Sequence, residues 1–72
     1  MTKIKFNKDE KIELGVEQYL FLSDGTKTLY LYKEDLKEEF PCVKTWRDLL
    51  AYLAPSTINL YTAGYCQQII II

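Results

Sequence analysis

The stretch that most restricts the fold is "YLFLSDGTKTLYLYK", residues 18–33 less the leading glutamine. Two runs rich in aromatic and aliphatic side chains flank Asp24-Gly25. Asp-Gly between such runs is a strong hairpin signal, because glycine enters positive φ without a Cβ clash. A two-residue turn at Asp24-Gly25 sets Ser23 opposite Thr26 and Leu20 opposite Leu29. Leu20, Leu22, Leu29 and Leu31 then share one face, and Tyr19, Phe21, Tyr30 and Tyr32 share the other. A three-residue loop with Gly25 as a bulge would shift one strand and mix these sets. The clean separation of aliphatic from aromatic favours the two-residue turn.

The rest of the chain supplies one convincing helix, "TWRDLLAYLAP". Thr45 and Asp48 stand as a capping box, with Asp in the usual Glu or Gln role. Trp46, Leu49, Leu50 and Leu53 recur at helical spacing as one apolar stripe, and Pro55 stops the helix. Before the hairpin, "KIELGVE" alternates, so the first long strand is expected to start near Lys11, with Gly15 as a bulge or bend. A helix through Ile12, Val16 and Tyr19 is the rival, disfavoured by Gly15. "KIKF" alternates over a shorter span. "YKEDLKEEFP" reads as one or two helical turns ending at Pro41, or as a connector. After Pro55, "TINLY" alternates, Ala63-Gly64 makes a turn, and "QQIIII" is a last strand, since isoleucine is β-branched and stiff. The expected fold is α+β: one domain spanning residues 1–72, a small two-layer unit in which the hairpin and a helix from Thr45 to Ala54 build on a sheet of about three strands.

Apolar supply exceeds what such a unit covers. Of 72 residues, 49% are hydrophobic, whereas a chain this short is marginal alone and commonly needs a staple or a partner. The hairpin is apolar on both faces, and so is the isoleucine run. One helix covers one face, and large exposed apolar patches are unusual on monomers. A second copy is therefore expected against the uncovered face, the edge, or both. Its candidate contacts are Ile69, Ile70, Ile71, Ile72, Tyr19, Phe21, Tyr30 and Tyr32, with the terminal strand taken as an edge that needs pairing.

The net charge of −1 offers no large field to gather nucleic acid or anionic lipid. Lys3, Lys5, Lys8 and Lys11 cluster near the start, and Glu34, Asp35, Glu38 and Glu39 in the middle. There is no histidine, hence no ready general base near neutral pH, and the three glycines stand apart rather than as a phosphate loop. Cys42 and Cys66 have no histidine to activate them and poor spacing for zinc; both are expected to be reduced, buried, small apolar groups. These features argue against an enzyme and call for no cofactor or metal. The opening residues lack a signal-peptide pattern and no run is long enough to span a bilayer, so the expected location is the cytoplasm. Protein interaction is the favoured role. The alternative is single-stranded nucleic-acid binding on the Tyr19, Phe21, Tyr30 and Tyr32 face with Lys27 and Lys33 beside it, although the acidic connector and the net charge make a nucleic-acid partner the weaker expectation.

The order of the Asp24-Gly25 hairpin, acidic connector, "TWRDLLAYL" helix and short β-rich tail resembles the Yopt family, small uncharacterised proteins of bacilli and their prophages, unrelated to the cysteine protease of the same name. The resemblance extends over the whole chain. It implies a homodimer whose monomer has one helix and three strands, and it implies no activity. A prophage setting would suit a modulator of a host protein.

Overall fold

The computed structural model describes residues 2–72. Seven elements follow one another: β1 (Thr2–Phe6), β2 (Gln18–Ser23), β3 (Thr28–Tyr32), α1 (Lys33–Glu39), α2 (Trp46–Leu53), β4 (Thr57–Thr62) and β5 (Tyr65–Ile71). The class is α+β, as expected. The sheet has five strands in the order β1-β5-β4-β2-β3, and two helices cover one of its faces, so the expectation of about three strands and one helix undercounts both. β1 runs parallel to β5, and the other neighbours are antiparallel.

The hairpin forms, but two residues out of the expected register. Leu20 pairs with Leu31 and Leu22 with Leu29, so the turn centres on Gly25-Thr26 and not on Asp24-Gly25. Asp24 decides this. Its Oδ1 accepts from the Thr26 amide at 2.9 Å, the Lys27 amide at 2.7 Å and the Thr26 hydroxyl at 3.0 Å. Those bonds hold the carboxyl down at about 2. Gly25, at φ 98°, takes the first central position, where glycine is favoured. A shift of two residues preserves faces, because strand side chains alternate with period two. The leucines therefore still share one face and the rings the other.

The second turn follows expectation. Ala63 and Gly64 link β4 to β5 with φ of 44° and 85°, and Thr62 pairs with Tyr65. Two consecutive positive φ values are what a tight antiparallel turn of this kind demands, and alanine is poorly suited to the first. Ala63→Gly or Ala63→Asn is therefore expected to stabilise the fold by about 0.5–1 kcal/mol. Thermal melts of the two variants test this; an unchanged or lower midpoint in both would count against the assigned turn.

The terminal strand differs most from expectation. β5 is interior, hydrogen-bonded to β4 on one side and to β1 on the other. "KIKF" supplies its second neighbour, with Ile4 opposite Ile69 and Phe6 opposite Ile71. Even Ile72 is tied in: its amide donates to the Phe6 carbonyl at 2.9 Å and its carbonyl accepts from the Lys8 amide at 3.0 Å. The isoleucine run is thus paired along its β1 side, while the β4 ladder stops at Gln68 opposite Asn59.

Both helices lie over the leucine face. α2 has Thr45 as its N-cap: Thr45 Oγ1 accepts from the Asp48 amide at 3.2 Å, and Asp48 Oδ2 accepts from the Thr45 amide at 3.0 Å. Those bonds also hold the Asp48 carboxyl below its usual range. Ala54 closes the helix in the left-handed conformation, its amide donating to the Leu50 carbonyl at 3.0 Å. Trp46 and Leu49 are buried with Leu20, Leu22, Leu31, Val43, Ile58, Leu60 and Ile69. Phe6 stacks on Trp46 at 4.8 Å between centroids. α1 leaves β3 directly and brings Leu36 against the same core, with Phe40 following it.

No strand starts at Lys11. Residues 7–17 cross the helix side, where Lys11 makes a single bridge to Thr45 and the Ile12 amide bonds the Lys44 carbonyl at 2.9 Å. Ile12 and Leu14 alternate because they dip into the core, not because they join a ladder.

Candidate interaction face

With both helices on the leucine side, the other face of the sheet is uncovered within the chain. Register fixes its two central rows. One runs Lys3, Gln68, Asn59, Phe21, Tyr30, and the other Cys66, Tyr61, Tyr19, Tyr32. The rings meet one another. Tyr19 stacks on Tyr61 at 5.0 Å with planes 5° apart, lies 5.0 Å from Tyr32, and is 5.8 Å from Tyr30. Phe21 meets Tyr30 edge-on at 4.9 Å. Such pairs rigidify a patch as well as burying area. Tyr30 and Tyr32 remain 53% and 46% exposed.

The four rings expected on one face, Tyr19, Phe21, Tyr30 and Tyr32, are therefore brought together. The four isoleucines are split. Ile69 is buried in the chain's own core and Ile71 packs against that core. Ile70 lies on the open face opposite Lys5, and Ile72 is exposed beyond the strand. Tyr61 is a fifth ring that the hairpin reading did not include. Its signal was present in the alternation of "TINLY", but its place beside Tyr19 depends on the β2–β4 pairing. Asn59, Gln68, Lys3 and Lys5 also join only through pairing. Lys27 and Lys33, expected beside the rings, flank β3 at its two ends.

Cys66 sits half-buried on this face opposite Tyr61, and its sulfur pushes the Tyr61 phenol above the ordinary range. Cys42 is exposed, contrary to the expectation that both thiols are buried; both are free. Cys42 falls in the turn between the helices, after Phe40 has already turned inwards.

The two sheet edges differ. β1 carries Lys3 and Lys5 within its span, and charged side chains on an edge discourage pairing with another chain. β3, "TLYLY", has no charge, proline or glycine within it. Leu29, Tyr30 and Tyr32 are all substantially exposed along it. Beside it lies a notch of about 240 Å³ between the hairpin tip and the end of α2, with Leu22, Leu29, Leu53 and Pro55 on one part of its wall and Ser23, Asp24, Lys27 and Thr28 on the rest. A larger hollow of about 380 Å³ on the helix side is lined by Ile12, Leu14, Leu36, Pro41 and Val43 together with Glu13 and four lysines, Lys11, Lys33, Lys37 and Lys44.

Among the described residues no three His, Cys, Asp or Glu side chains are grouped as a metal ion would require. No helix among the described residues is long and apolar enough to cross a membrane. Comparison with protein-family models, curated proteins and solved structures found no match to this chain.

Proposed function

We propose that this chain is a homodimeric protein-interaction module, and that the second copy pairs along β3. The observation that carries the reading is the contrast between the edges: lysines guard β1, while β3 is an uncharged edge strand with exposed Leu29, Tyr30 and Tyr32, whose Tyr32 amide is already taken by the Asp35 carboxylate at 2.8 Å. A strand that meets its own copy antiparallel makes a closed two-fold contact, self-complementary by construction. The notch whose apolar wall is Leu22, Leu29, Leu53 and Pro55 adjoins that edge and can receive an aliphatic side chain from the partner. The aromatic faces of the two copies would then form one continuous surface with Tyr30 and Tyr32 at its centre. This differs from an interface built on the isoleucine run, which β1 already pairs through Ile4, Lys5 and Phe6. A cytoplasmic role as a prophage-encoded modulator of a host protein extends the same reading, on the strength of the family resemblance alone.

Solution mass tests the proposal. Light scattering from about 5 to 500 µM should show a concentration-dependent approach to twice the monomer mass, since edge pairing buries less than the ~1,600 Å² of a standard stable interface. Leu29→Lys places a gatekeeper charge in β3. It should shift the protein to monomer and, because Leu29 is 37% exposed, reduce stability by no more than about 1 kcal/mol. A parent that stays monomeric at the highest concentration would sink the reading.

A further inference from the structure

The open face carries a charge pattern that the whole-chain total conceals. Its strand residues include Lys3 and Lys5 and no carboxylate. The acidic run Glu34, Asp35, Glu38 and Glu39 belongs to α1, which packs Leu36 on the opposite layer, although Asp35 reaches the β3 edge, its Oδ2 accepting from the Tyr32 amide at 2.8 Å. Across this face the chemistry grades from cationic at β1, through the amides Gln68 and Asn59 paired between β5 and β4, to the rings on β4, β2 and β3.

We propose that this face binds single-stranded nucleic acid, with bases stacked on the exposed tyrosines and phosphates held by Lys3 and Lys5. Stacking on aromatic side chains is tolerant of base identity because every base has a π-face. Gln68 and Asn59 lie between the rings and the lysines, where their amides can bond base edges. Neighbouring strands lie about 4.8 Å apart, so the span from β1 to β3 is roughly 19 Å, a width on which a sheet stacks about two or three splayed bases. A second copy laid face-on is the poorer occupant. It would bring two ammonium groups per chain against like charges on a face whose strand residues hold no carboxylate to pair them. A nucleic-acid strand brings the acceptors and donors these groups need. The proposal stands apart from edge pairing, which leaves the face open.

Fluorescence anisotropy of labelled (dT)12 and (U)12 titrated with the full chain is the test. Saturable binding of either strand at 20 mM NaCl is expected. Two phosphate contacts imply a weakening of about 25-fold between 20 and 200 mM NaCl, from a slope of about −0.7 per contact on single strands. Lys3→Glu with Lys5→Glu, and separately Tyr30→Ser with Tyr32→Ser, should each weaken binding by about tenfold or more. All four side chains are exposed, so circular dichroism should show both double variants folded. The proposal is overturned by no anisotropy change with the chain at 500 µM in 20 mM NaCl, or by binding that neither pair of substitutions alters. It is also overturned if Tyr19 and Tyr61 amide shifts respond to protein concentration and not to either strand, which would place a second copy on the face.

Discussion

Deleting Ile69 to Ile72 is expected to unfold the protein, not merely to separate two copies. The segment is the end of β5, paired with β1, and the residue that follows it. Its loss removes three of the five β1 pairings: Ile4 with Ile69, Lys5 with Ile70 and Phe6 with Ile71. β1 is then held by Thr2 and Lys3 alone, and Phe6 has no reason to stay on Trp46. Burial of Ile69 alone contributes about 1.5–3 kcal/mol, and Ile71, Ile4 and Phe6 add partial burial on the same core. A chain of this size has roughly 0.05–0.15 kcal/mol of stability per residue to lose, so the deletion consumes most or all of it. Ile72→Ala should do almost nothing, because that side chain is exposed while the backbone supplies its hydrogen bonds. Circular dichroism melts of both variants decide the matter. A cooperative transition in the deletion within about 5 °C of the parent would show that β1 and β5 are not coupled in this way. Because the deletion removes the fold, it cannot report on association; Leu29→Lys, which touches only the edge, can.

What was legible in the sequence was local. Thr45 and Asp48 bond each other's backbone three residues apart, so the start of α2 could be read directly. The hairpin faces survived a misplaced turn because a two-residue slip leaves period-two alternation intact, whereas the turn itself depended on which amides the Asp24 carboxylate captures. The isoleucine run illustrates what was not legible. Its apolar character on both faces was plain, but Ile69 meets Ile4 across 64 intervening residues, and nothing local announces a parallel pairing over that distance. Without β1, the run had to be an unpaired edge; with it, the run has a strand neighbour and the unguarded edge is β3. The same limit applies to the candidate face. Four rings could be placed together from one hairpin, but Tyr61, Asn59, Gln68, Lys3 and Lys5 arrive from three other strands. The net charge of −1 spoke against a polyanion only because composition does not show that the open face's strand residues carry two lysines and no carboxylate.

The helix stripe yields the second large effect. Spacing alone treats Leu49 and Leu50 as equals on one apolar face of α2. The structure separates them: Leu49 is 0% exposed among Leu20, Leu22, Leu31 and Trp46, while Leu50 is 39% exposed. Leu49→Ala removes a fully buried side chain where the helix meets the sheet, and the cavity left behind adds to the lost transfer energy. The expected cost is about 3–4 kcal/mol. Leu50→Ala removes a side chain that water already reaches and replaces it with the best helix former, so its cost should stay below about 1 kcal/mol. Denaturant titrations give both numbers, and an unchanged slope would show that the compactness of neither end state has moved. Equal losses at the two positions would mean that α2 is rotated about its axis relative to the leucine face. The uncovered aromatic face depends on that arrangement, because it stays open only if α2 spends its stripe on the other side of the sheet.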